Sequence, residues 1–199
     1  MRFTLNTILT LTATLTPAVL AGPHGPHGGH RSYGHSHGGN YCSQPINENL
    51  MQLTGEANDN AHFCSSLSTG LLSNDVDDLK SRQDQLRDDI FGAYSTLRGS
   101  SCTDIHPGAQ RDLCRSFVEF THAEKALQYA LRAKNDDLES DSAYKDMIRC
   151  EAETQENYYH LADLLVDLNP VCCDDIKDAT REMSWAFAGT QSKFTGSSH

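Results

Sequence analysis

The sequence predicts an all-α fold: an up-down antiparallel bundle of about five helices, stapled by disulfides, behind a disordered amino-terminal tail. Three observations carry this. Apolar residues recur every three to four positions in five stretches of residues 41–188. No segment alternates with period two for long enough to form a confident strand. Seven cysteines in 199 residues suit an oxidising compartment, where thiols pair.

Residues 1–21 read as a signal peptide. Met1-Arg2 is a cationic start, Leu5 to Leu15 a modest apolar stretch, Pro17 a helix breaker, and Val19-Leu20-Ala21 a small-residue cleavage site. A secreted, extracellular protein is the expectation. The stretch is too short and too rich in threonine for a membrane span, and nothing later is apolar enough for one.

Residues 22–40 (GPHGPHGGHRSYGHSHGGN) contain no acid and no aliphatic side chain. Such a segment cannot build a core. It carries His24, His27, His30, His35 and His37, half of the ten histidines. Neutral imidazoles on a flexible chain suit zinc or copper. The same composition also reads as a plain linker, or as an arm that turns cationic below about pH 6. Copper chelation through the amino terminus and His24 is blocked, because Pro23 has no amide proton to lose.

The first helical stretch follows Pro45, with Ile46, Leu50, Leu53, Ala57, Ala61, Cys64, Leu67 and Leu71 as its stripe. Gly70 and Ser73-Asn74 end it and cap the next. The second carries Val76, Leu79, Gln83, Leu86, Ile90, Ala93 and Leu97 inward, with a charged outer face. The third begins near Pro107 and carries Leu113, Phe117, Phe120, Leu127, Leu131 and Leu138, flanked by alanines that allow close helix contact. The fourth starts near Ser140-Asp141-Ser142, turns Met147, Cys150, Leu161, Leu164, Leu165 and Leu168 inward, and stops at Asn169-Pro170. The fifth runs from about Cys172 to Ala188 with Ile176, Ala179, Met183, Ala186 and Phe187 inward. Residues 189–199 read as a flexible tail. Short turns would make successive helices antiparallel neighbours, in a bundle roughly 35–40 Å tall.

In that arrangement Cys64 and Cys150 share a level, both roughly 12–14 Å below one end, which predicts a Cys64–Cys150 bridge. Cys42, Cys102, Cys114, Cys172 and Cys173 belong to the other end. Adjacent cysteines rarely bond each other, so Cys172 and Cys173 are expected to reach different partners. Cys102 and Cys114 are the nearest, which leaves Cys42 as the candidate free thiol. Other pairings among these five stay open.

A net charge of −11 argues against nucleic acid as a partner. Glu119-Phe-Thr-His122 matches Glu-x-x-His, but it occurs once and points outward; Glu156 and His160 flank their stripe. Glu124 falls on the stripe between Phe120 and Leu127. It reads either as buried with a raised pKa or as lying at the stripe's edge, and the Lys125 and Gln128 that follow favour the edge. No zinc-protease motif, nucleophile elbow or phosphate loop is present, so no catalytic residue is assigned. Phe117, Phe120, Tyr129, Tyr144, Tyr158, Tyr159, Trp185 and Phe187 read as core filling, or as the lining of a lipid cavity.

In signal peptide, size and cysteine use the chain resembles the small, secreted, disulfide-bonded helical proteins common among fungal effectors and cell-wall-associated proteins. The leading expectation is a secreted, non-enzymatic helical binding protein. Its partner would be an unidentified protein, cell-wall or host target, with zinc or copper uptake by the histidine tail. The alternative is a secreted carrier that holds a hydrophobic ligand such as a lipid in the bundle interior.

Overall fold

The computed structural model describes residues 40–67, 72–100, 102, 105–139 and 141–196. The expected signal peptide, the tail histidines His24, His27, His30, His35 and His37, and the side chain of Cys42 lie outside the described residues. Five helices form: α1 (Asn40–Ser66), α2 (Ser73–Gly99), α3 (Pro107–Leu138), α4 (Tyr144–Leu168) and α5 (Cys173–Phe194). No strand occurs among the described residues. None of these helices is long and apolar enough to cross a membrane.

Local signals explain the starts. At α2 the N-cap is Leu72, whose N–H donates to the Asp75 carboxylate at 3.2 Å; Ser73 and Asn74 already belong to the helix. At α3, Pro107 stands where its missing N–H costs nothing, and His106 Nδ1 accepts from the Gly108 N–H at 3.1 Å. Two helices outrun their expected limits. α1 begins at Asn40 and contains Pro45. α5 continues through Gly189 to Phe194, so the expected tail contributes to the core. The Thr190 hydroxyl lies between the carbonyls of Gln128 and Ala186, and Phe194 packs edge-on against Tyr144. Gly189 passes so close to Arg132 that a Cβ there would stand 2.1 Å from its guanidinium.

The directions alternate along the chain, as an up-down bundle requires. Neighbourhood in space differs from the sequence-based expectation. The seams run α1–α3, α3–α5, α5–α4, α4–α2 and α2–α1, closing a ring. Within it α1 and α3 run parallel: Ser116 Oγ donates to Asn47 Oδ1 near their starts (2.7 Å), and Lys134 Nζ donates to the Leu67 carbonyl at their far ends. α2 and α4 are likewise parallel, through Arg87–Glu153 (3.2 Å) and the stacked rings of Tyr94 and His160 (5.3 Å). α3 and α4, consecutive in the chain, share no extended backbone seam and meet through side chains across the middle of the ring.

This ring order overturns the Cys64–Cys150 pairing. Both thiols are buried and free. Cys64 sits on α1, which packs against α2 and α3; Cys150 sits on α4, which packs against α2 and α5. Equal height does not make them neighbours. Burial pushes both thiols up, Cys64 to about 11 and Cys150 to about 12. Of the cysteines at the other end, Cys114 bonds Cys172, joining the first turns of α3 to the threshold of α5 (Cα–Cα 6.4 Å). Cys102 is also disulfide-bonded. Cys173 is free, against expectation: at the first position of α5 it is half-exposed, and its thiol faces Asp174 Oδ1 at 3.7 Å.

Candidate ligand-binding centre

The middle of the ring holds two kinds of side chain. One is an aromatic cluster. Phe117 and Phe120 from α3, Tyr158 from α4 and Phe187 from α5 are fully buried. Tyr158 lies 5.5–5.9 Å, centroid to centroid, from the other three. Its hydroxyl shares a 2.7 Å hydrogen bond with Thr121 Oγ1. Tyr144 is buried and Tyr159 half-buried at the margins. Tyr129 and Trp185 are exposed, so they line nothing inside.

The other kind is polar. Glu124 and Gln128, one turn apart on α3, and Glu151 and Thr154, one turn apart on α4, are all at most 2% exposed. Gln128 Nε2 donates to Glu124 Oε1 at 2.9 Å and lies close enough to Glu151 to ease its charge. The remaining oxygens, Glu124 Oε2, Gln128 Oε1, both oxygens of Glu151 and Thr154 Oγ1, have no hydrogen-bond partner. Burial raises the Glu124 carboxyl to about 7. Burial, then the charge of Glu124, raises Glu151 to about 8. Two acids are thus held where their neutral forms are favoured.

Reading Glu124 at the stripe's edge was therefore wrong: Lys125 turns out to Glu182 (2.9 Å), while Gln128 turns in with Glu124. Glu151 and Thr154 escaped notice in the sequence, although the signal exists. Met147, Glu151, Thr154, Tyr158, Leu161 and Leu165 repeat at alternating steps of four and three, which places them on one face.

The pairs that resemble metal ligands lie elsewhere. Glu119 and His122 are exposed and border an outer groove of about 620 Å³ between α3 and α5, floored by Val118, Ala179 and the Cys114–Cys172 bond. Glu156 and His160 are exposed on α4. No group of three or more His, Cys, Asp or Glu that could hold a metal occurs among the described residues.

No family model matches the chain. No curated protein matches it either. Among solved structures, the crystal structure of AFMP4P in complex with palmitic acid aligns with a TM-score of 0.70 at 16% identity. The alignment covers 76% of this chain and 99% of that one. What the two chains share, on this likeness, is the fold.

Proposed function

We propose that this protein carries a hydrophobic ligand such as a lipid, held in the interior of the five-helix ring. The carrying observation is the make-up of that interior. It is mostly apolar and aromatic, with a few buried polar groups whose hydrogen bonds are incomplete, the composition typical of small-molecule sites. The AFMP4P complex adds support, since a protein of this fold holds palmitic acid. The ring order also offers a route. α3 and α4 share no extended seam, so parting them to admit a chain disturbs side chains in the centre and leaves the five seams of the ring in place.

The proposed activity is binding rather than catalysis. Native mass spectrometry of protein purified without detergent tests it. The expected spectrum shows an added mass of lipid size that organic extraction removes and incubation with palmitic acid restores. A single ligand-free species that takes up no palmitic acid, alcohol or amine of similar chain length would refute the proposal.

A further inference from the structure

The polar cluster in the centre is unusual in one respect: every atom lacking a partner is an oxygen. There are five, from Glu124, Gln128, Glu151 and Thr154, on two helices that face one another across the ring. The other buried and half-buried helical threonines close a bond to the carbonyl one turn back. Thr54, Thr121, Thr180 and Thr190 all do so, at 2.7–3.1 Å. Thr154 does not, although it is fully buried.

The local donors do not meet this demand. Gln128 Nε2 already serves Glu124. No cation among the described residues eases either carboxyl; the partly buried Arg132, one turn beyond Gln128, sends Nη2 to the Ala186 carbonyl of α5 at 3.0 Å, and its buried Nε has no partner and does not reach the carboxyls. Each neutral carboxyl can donate one proton, but the five oxygens outnumber those donors, and once ionised the pair is acceptor-only and is stabilised by donors and positive charge. A primary ammonium brings three N–H donors and a full positive charge, and its bonds to carboxylates are charge-assisted. A hydroxyl brings one donor and no charge. A carboxylate brings further acceptors and a negative charge into a buried site whose own acids already resist ionising.

Resting on the carrier reading above, we infer that Glu124, Gln128, Glu151 and Thr154 form a headgroup site that selects a long-chain primary amine over a free fatty acid of the same length. With α3 and α4 parted, the alkyl chain takes its place among Phe117, Phe120, Tyr158 and Phe187, and the ammonium sits between the two helices.

The test is a comparison of affinities at neutral pH on the delipidated full chain, with hexadecylamine, hexadecanol and palmitic acid each displacing a fluorescent fatty probe. The expected order is amine, alcohol, acid, with the amine ahead of the acid by at least about tenfold. The Glu124→Gln/Glu151→Gln double variant keeps the side-chain size and removes both charges. It should bring the ratio of amine to acid to within about threefold of one. Because an acidic protein attracts amines generally, a control carrying Asp77→Asn and Asp78→Asn, two exposed acids of α2, removes the same charge from the surface and should keep the preference. Should the double variant fold poorly by circular dichroism, Thr154→Val alone should weaken the amine more than the acid. Palmitic acid binding as tightly as the amine, or a preference that survives in the folded double variant, overturns the headgroup assignment and leaves the carrier reading standing. Failure of all three compounds to displace the probe refutes both.

Discussion

Replacing Glu151 with glutamine removes a charge that the folded chain resists carrying. An unfolded glutamate loses its proton near 4.5, whereas the folded chain holds that of Glu151 to about 8. Between these values the folded state binds more protons than the unfolded state, so stability falls as pH rises. The contribution is fully present below about 4.5 and is lost by about pH 8, the reverse of a salt-bridged acid. Each such group contributes a slope of about 1.4 kcal/mol per pH unit. From about pH 5 to about pH 8, Glu151 alone therefore costs the wild type about 4 kcal/mol, a large share of the 5–15 kcal/mol typical of a folded domain. Glu124, raised to about 7, adds a smaller loss that ends sooner. The two are not additive, because part of the rise at Glu151 is the charge of Glu124. Urea denaturation across that pH range, followed by circular dichroism, measures the effect. Glu151→Gln should match the wild type within about 1 kcal/mol near pH 5 and exceed it by several near pH 8. Curves that stay parallel over the whole range would refute the burial of an uncompensated acid at this position.

Thiol labelling of the native protein should modify the half-exposed Cys173 first, and reach Cys64 and Cys150 only on unfolding, since both are buried with raised thiols. Non-reducing peptide mapping should join Cys114 to Cys172 and leave Cys64 unlinked to Cys150; replacing Cys114 and Cys172 together with alanine should cost about 2–4 kcal/mol in denaturant melts. Phe187→Ala empties the α5 side of the aromatic cluster and should cost about 3–5 kcal/mol, with a loss under about 1 kcal/mol contradicting a packed centre. Metal uptake by the histidine tail, which we also propose, predicts that isothermal titration with zinc or copper gives heat for the full chain that disappears when residues 22–40 are removed. Equal heats would end that proposal.

Helix existence was legible in the sequence because each helix buries one stripe. All seven inward residues assigned to α2, from Val76 to Leu97, are buried, Gln83 included. α3 was legible at both ends, Pro107 and Leu138. Ring order was not legible. Periodicity tells which face of a helix turns inward but not which helix it meets, so the pairing of α1 with α3 and of α2 with α4 stayed hidden, and the Cys64–Cys150 bridge failed with it. Two helix ends, those read from Pro45 and Gly189, lie elsewhere in the structure. Gly189 keeps α5 going because its missing side chain makes room for Arg132, and Pro45 is tolerated inside α1. The polar centre was half legible. Glu124 stands on an apolar stripe in plain view, but Lys125 and Gln128 follow it and a buried acid is expensive, so an exposed edge is the natural reading. Only the facing of α3 and α4 brings Glu151 and Thr154 to it.

The most direct test of lipid carriage is a crystal structure of the delipidated protein grown with a sixteen-carbon chain bearing bromine at its far end. The account predicts one anomalous bromine peak inside the ring, among Phe117, Phe120, Tyr158 and Phe187, with density running from it toward the gap between Glu124 and Glu151. A bromine peak confined to the outer groove between α3 and α5, or a centre unchanged and closed around its own side chains, would contradict it.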